Sequence, residues 1–419
     1  MPRPHFLETH QIPIWVVITG NVRSGREFRQ IFKRALQLQV SGKVDGIRFV
    51  TWKGELEQAP GLETALVNSG VSIVVLDPPQ PDPKIHPLFH GYVYHQRKAL
   101  YFALRSLPSN CFVLKARTDF AEERFESMVA ALFENPSLRL EIDIPSPIFR
   151  TRLFSYDVRP DYFFYWDDIV FSGMRDDLIC LNNFEIGCDL IQPGHFSPAE
   201  SRLFAPHFLK HYPILRWFSE NICGDEFARL LQQYFSKGEV EPLPALILNI
   251  LASYFHILSR YVLLPNPARA SQVAISLKSF FTPESELGIK TFDQPWASHK
   301  WFNQSLADRL RGPEDFADPN LAAIVKMMRR MDSEIAARGV LPLDLEMQQR
   351  EFEQFAQHLG CHPLVSQAHL IPAAQTLSNS FEDSLERVKM PEKRHLSWLQ
   401  AKKLGARRTF ANWLLRKLV

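Results

Sequence analysis

CFVLKARTDF, residues 111–120, is an apolar run that breaks into an Arg-Thr-Asp triplet. Cys111 to Leu114 reads as a strand buried on both faces, because a short, continuous, β-rich apolar run suits a sheet with helices above and below. The polar burst falls at the strand's C-terminal end. In open α/β sheets ligands bind at that end, and a carboxylate on a rigid strand tip can face a metal ion or a sugar phosphate from a fixed position. Asp119 is the first candidate residue; the alternative is that Arg117 and Asp119 form a local ion pair closing a turn.

Upstream, Ile12–Thr19 (IPIWVVIT), Gly46–Trp52 (GIRFVTW) and Val71–Leu76 (VSIVVL) read as three more strands, with helical material over Glu27–Leu38 and Leu62–Asn68. Strands joined by short helices make a parallel α/β unit the economical choice. The first strand ends in Gly20-Asn21-Val22-Arg23-Ser24-Gly25 before its helix, an arrangement that offers free N–H groups to a phosphate. It departs from a P-loop, since Arg26 and Glu27 stand where the lysine and the magnesium-binding hydroxyl belong, so an NTPase is excluded. What stays open is a nucleotide contact or a plain βα turn.

A proline-rich loop, Asp77–Pro87, precedes His95-Gln96-Arg97-Lys98, which opens a helix to Arg105. Gln96 and Arg97 then sit at a helix start leading into the Cys111 strand, suited to an anion or a sugar hydroxyl, or to plain solvation. After Asp119, the spacing of Phe125, Met128, Val129 and Leu132 predicts a core-packed helix over Glu122–Phe133. In Asp161–Leu178 (DYFFYWDDIVFSGMRDDL), aromatic residues lead into Asp167 and Asp168, then a short strand ending at Gly173 and a helix capped near Asp176-Asp177. Adjacent carboxylates among aromatics are costly to desolvate unless used or paired, and strand alternation turns one toward a cleft and the other away. A solvated acid pair on an edge strand is the other reading.

Farther on, His207 and His211 share a helix face but lack a third ligand, so packing histidines are the better account. Leu243–Leu264 is the longest apolar run, interrupted by Asn249, Ser253, His256, Ser259 and Arg260. Polar groups at that frequency are expensive in lipid, which favours a buried or membrane-apposed helix over a spanning one. Helical patches follow at Asn320–Ala337 and Asp344–Leu359. The last stretch, 393–419, holds eight Lys or Arg and no acid among Leu, Phe and Trp. This basic amphipathic tail suits an anionic membrane surface; a terminal helix docked on its own domain is the rival, and without a nucleic-acid fold signature RNA or DNA ranks last.

The 419 residues, 46% hydrophobic and 22% charged, fit a globular chain of two domains, divided here as 1–235 and 236–419. A formal charge of +2 gives no argument for nucleic acid. Five scattered cysteines without a Cys-x-x-Cys pair argue against a disulfide scaffold or zinc ribbon, and the start lacks a signal-peptide core, so a cytoplasmic protein is expected.

Taken in order, VVITGNV (Val16–Val22), FVTWKGE (Phe49–Glu55), HQRKALYFAL (His95–Leu104) with FVLKARTDF (Phe112–Phe120), and WDDIVFSGMRDDL (Trp166–Leu178) resemble the WavE-like lipopolysaccharide-synthesis family of bacterial glycosyltransferases, which look like GT-A enzymes. The resemblance covers roughly the first half of the chain. It implies an α/β fold, a GT-A-like, Rossmann-type mixed sheet flanked by helices, with a mainly α-helical C-terminal region. It also implies a nucleotide pocket lined by the Thr19-to-Val22 loop (Thr19, Gly20, Asn21 and Val22) and the Thr51-Trp52 strand end, with Arg23 next to the loop and Gln96 and Arg97 near the donor phosphates. Arg117, Thr118 and Asp119 would occupy the place of the GT-A Asp-x-Asp motif, so that Asp119 alone would bind Mn²⁺ or Mg²⁺. Asp168, with Asp167 beside it, would be the catalytic acid pair, and Asp177 aligns with a later family acid. A glutamate expected after an Ala-Pro pair is missing, since His207 follows Ala205-Pro206.

The expected partners are a nucleotide sugar, a glycan or lipid-linked glycan acceptor, and an anionic membrane surface reached through 393–419, with the protein peripheral on the inner face of the inner membrane. Two other classes stay open: a sulfotransferase, with Arg23-Ser24-Gly25 on a sulfonucleotide phosphate, and a non-catalytic membrane scaffold of polysaccharide assembly.

Overall fold

The computed structural model describes residues 5–22, 26–78, 92–119, 121–135, 138–142, 146, 148–158, 163–181, 201–222, 224–238, 241–265, 277, 302, 304–313, 315–339, 341 and 346–360. Arg23 and the 393–419 tail lie outside them. In chain order the elements are α1 (His5–Thr9), β1 (Ile14–Thr19), α2 (Arg26–Val40), β2 (Gly46–Trp52), α3 (Leu62–Asn68), β3 (Val71–Leu76), α4 (Tyr92–Arg105), β4 (Phe112–Arg117) and α5 (Glu122–Glu134). Then come β5 (Leu153–Ser155), β6 (Val170–Met174), α6 (Arg175–Leu181), α7 (Ser201–Leu209), α8 (Pro213–Asn221), α9 (Gly224–Ser236), α10 (Ala245–Tyr261), β7 (Val262–Leu263), α11 (Gln304–Arg311), α12 (Pro319–Arg338) and α13 (Glu346–His358).

The fold is α/β. Seven strands form one mixed sheet in the order β3-β2-β1-β4-β6-β5-β7. The first four run parallel, whereas β6 is antiparallel to both β4 and β5. Strand alternation sends Val16, Ile18, Phe49, Leu114 and Ala116 to one face, where Phe28, Phe32, Phe125 and Met128 of α2 and α5 cover them. Val17, Val50, Trp52 and Val113 face the other way, into a layer with α4, α6, α8 and α10. The central strands are therefore apolar on both sides, as a helix-covered parallel sheet requires.

Two boundaries move from the sequence expectation for physical reasons. β4 runs on to Arg117, because Lys115 and Arg117 keep ladder pairs with Val17 and Thr19. Helix α4 starts at Tyr92, so Gln96 and Arg97 lie in its second turn and offer side chains rather than free helix-start N–H groups. Helix α7 ends at Leu209, and Pro213 then opens α8 as its N1 residue.

Residues 1–366 make one compact unit, and residues 367–419 are a second unit outside the described residues. The contacts run across position 235: α10 is buried along nearly its whole length in the cluster that also contains Val17, Val113 and Phe171. Among the described residues no helix is long and apolar enough to cross a membrane.

Candidate functional site

The site forms at the C-terminal edge of β1, β2 and β4. Thr19 pairs in register with Arg117, and Thr118 N–H donates to the Thr19 carbonyl at 3.1 Å. The next residue has to be glycine. Gly20 has φ +133°, and a Cβ there would stand 2.5 Å from the Thr118 Oγ1. Its N–H donates to the Val50 carbonyl at 3.1 Å, while Val22 N–H donates to the Glu55 carboxylate at 2.8 Å, tying the β1 loop to the β2 loop. Asn21 between them is exposed.

Alternation puts Thr19, Trp52 and Arg117 on the α4 side of the sheet and Thr51 on the other. Trp52 packs against the His95 ring at 5.3 Å, which brings the start of α4 to this edge. Arg97 is buried beside it in sequence. The Thr19 and Thr51 hydroxyls and the Gln96 Oε1 are buried with no hydrogen-bond partner among the described residues. An unsatisfied buried polar group costs about 1–3 kcal/mol, so the Thr19 hydroxyl, in register with Arg117 at this edge, marks a place where another molecule can supply a partner.

Arg117 is the hub of the charged part. Its Nε donates to Asp119 Oδ1 at 2.9 Å and its Nη2 to Asp119 Oδ2 at 3.2 Å, a fork on one carboxylate. Its Nη1 reaches Asp168 Oδ2 at 3.1 Å. The local Arg117–Asp119 pair that the triplet allowed is formed, and the same guanidinium joins the second acid. The side chains of Arg117 and Asp119 keep 19% and 17% of their surface exposed against 3% for Asp168, so a ligand meets the first two before the third. Burial works against the charge on Arg117, but the bonds from Asp119 and Asp168 outweigh it and raise its pKa.

Behind this triad lies Lys115, fully buried in β4. Its Nζ donates to the main-chain carbonyls of Asp168 and, at 3.3 Å, Ile169, and sits 4.9 Å from the centre of the Phe171 ring. Burial lowers its pKa to about 7 against the pull of Asp168. Asp167 turns the opposite way. Its Oδ1 accepts from Ile169 N–H at 2.7 Å, and its Oδ2 stands 3.0 Å from Arg124 of α5. Burial raises the Asp167 pKa to about 7, Arg124 opposing. Asp167 therefore holds the turn into β6, while Asp168 belongs to the edge.

Asp177 does not face the edge: it accepts from Arg150 and Thr151 N–H, each at 3.0 Å, and fixes the loop before β5. His207 stacks on Phe149 and His211 bonds the Gly339 carbonyl at 2.8 Å, so both are packing residues. Sequence reading passed over Lys115 and Arg124, although a lysine inside the apolar run of β4 was a visible signal: such a charge is retained only where buried partners answer it.

The residues do not suit a divalent cation as expected. Both oxygens of Asp119 are engaged by a guanidinium, and no group of three His, Cys, Asp or Glu side chains among the described residues is arranged around a common point. No protein-family model matches the chain, and no curated protein matches its sequence.

Proposed function

We propose that this chain is a glycosyltransferase that moves a sugar from a nucleotide-sugar donor to a growing bacterial surface polysaccharide, lipopolysaccharide or capsule. The observation that carries the reading is one strand edge where the buried Thr19 hydroxyl, partnerless among the described residues, stands in register with a guanidinium shared by two carboxylates. Sugar transfer needs the leaving nucleotide diphosphate neutralised and the acceptor hydroxyl deprotonated. Arg117 and Arg97 serve the first need, since preorganised cations in a dry site stabilise developing charge without reorganisation. Asp168 serves the second as general base if the reaction inverts the anomeric centre. Thr19 and Gln96 line the nucleotide side with Trp52, and the donor supplies the hydrogen bonds that the Thr19 hydroxyl and Gln96 Oε1 lack among the described residues. The acceptor is a glycan or lipid-linked glycan, and the basic 393–419 segment holds the enzyme on the cytoplasmic face of the inner membrane.

The test is nucleotide release from a panel of UDP-, CDP- and CMP-sugars. Asp168→Asn is expected to lower turnover on the order of 10³-fold with an unchanged melting temperature. Near-normal turnover by both Asp168→Asn and Asp119→Asn removes the site assignment. Thermal stabilisation by adenosine 3′,5′-bisphosphate instead of UDP, CDP or CMP turns the reading to sulfate transfer, and the absence of any nucleotide shift turns it to a scaffold.

A further inference from the structure

We propose that Arg117 occupies the position of the divalent cation and that this site takes its donor diphosphate without a metal; the inference rests on the sugar-transfer reading above. Three observations lead there. Asp119, which follows β4 and keeps 17% of its side chain exposed, already gives both oxygens to Arg117, at 2.9 and 3.2 Å. An ion bound to Asp119 would then stand against a fixed positive charge inside a poorly solvated edge.

The second observation is charge balance. The side chains linked at the edge are Arg117, with Lys115 behind it, on the positive side and Asp119 and Asp168 on the negative side. Their formal charges cancel, so this assembly has no surplus negative charge with which to hold a dication. Third, a guanidinium has five N–H groups. Three of those on Arg117 donate to the two carboxylates, which leaves two to reach a phosphate oxygen from its exposed edge. Arginine forks match phosphate geometry as they match carboxylate geometry, so a diphosphate can share the Asp119 donor set or displace that carboxylate.

The experiment is calorimetric titration of the full chain with UDP, CDP and inorganic pyrophosphate, in EDTA and again with MnCl₂, alongside titration of Mn²⁺ alone followed by the electron-spin signal of the free ion. At least one diphosphate is expected to bind with the same Kd, within about threefold, in both conditions. Arg117→Gln is expected to weaken that binding at least about tenfold and Arg117→Lys by less. Mn²⁺ alone is expected to stay free. Binding that needs MnCl₂, Mn²⁺ uptake abolished by Asp119→Asn, or metal-free binding indifferent to Arg117→Gln each overturns the proposal while leaving the sugar-transfer site standing. No binding under either condition overturns both. Should Arg117→Gln fail to fold, the wild-type EDTA comparison and the Mn²⁺ titration still decide the matter.

Discussion

Two buried polar assemblies in this protein are built from similar residue types and differ in whether their bonds are complete. In the helical layer, Ser146 donates to the Tyr261 hydroxyl at 3.0 Å, and Tyr261 bonds Tyr212. Tyr212 shares a 2.7 Å bond with His256 Nδ1, and His256 Nε2 meets Asp332 Oδ1 at 2.7 Å. Arg260 closes the chain with a fork on the same Asp332. The strand-tip assembly has more charged groups, yet beside it the Thr19 hydroxyl has no partner among the described residues. A saturated network fixes helices to one another; an incomplete one carries a standing cost that a ligand at an open edge can relieve. The first assembly is thus assigned to architecture and the second to binding.

The sharpest way to break that division is to cut each assembly at an acid. Asp332→Ala leaves Arg260 and His256 facing a gap, and is expected to cost about 3 kcal/mol in denaturant melts while UDP affinity per folded molecule stays unchanged. Asp168→Asn is expected to do the reverse, lowering turnover on the order of 10³-fold at nearly constant stability. If Asp332→Ala abolished UDP binding in a still-folded protein, the helical chain would belong to the site.

How far the sequence told these assemblies apart depends on the range of the interactions. The strands and helices around the edge were legible because their periodicity is local: β2 and β3 fall at Gly46–Trp52 and Val71–Leu76, and the buried apolar stripe of α5 falls on Phe125, Met128, Val129 and Leu132. That Asp167 and Asp168 part company was legible too, from alternation alone. The helical chain was not, because Tyr212, His256 and Asp332 are joined across 44 and 76 positions. The sequence showed His256 only as an interruption in an apolar run. Arg117 was seen as a missing acid, whereas its bond to Asp168, 51 positions away, makes it the centre of the site.

Acid and base should separate the assemblies next, with an effect on the order of 1 kcal/mol. Asp167 has its pKa raised from 3.8 to about 7, so across that interval the folded chain binds more protons and stability falls as pH rises. Lys115 has its pKa lowered from 10.5 to about 7, so above 7 the unfolded chain binds more protons and stability rises with pH. The strand tip therefore contributes a minimum near neutrality. Burial lowers the His256 pKa from 6.5 in spite of Asp332, and its contribution has the opposite slope in acid, being lost as pH falls below 6.5. Urea melts at about pH 5, 7 and 9 check this: Asp167→Asn is expected to flatten the acid limb of the minimum, Lys115→Met the alkaline limb, and His256→Gln neither.

The smallest expected effect is the most direct probe of completeness, because its sign differs between the assemblies. Tyr212→Phe removes a hydroxyl that has partners, and is expected to cost about 1 kcal/mol. Thr19→Val removes a buried hydroxyl that has none, replacing it with a methyl of nearly the same shape, and is expected to raise stability by up to about 1 kcal/mol. Ser172→Ala should do the same in β6, where the Ser172 hydroxyl also lacks a partner but stands in register with Leu114 and Phe154. UDP binding then tells the two partnerless hydroxyls apart. It should weaken in Thr19→Val, where the lost group faces the ligand edge, and stay as it was in Ser172→Ala, where the lost group faces packed side chains. A Thr19→Val protein that melts earlier than wild type would mean the hydroxyl is already satisfied, and the strand edge would then be as much a piece of architecture as the tyrosine and histidine chain behind it.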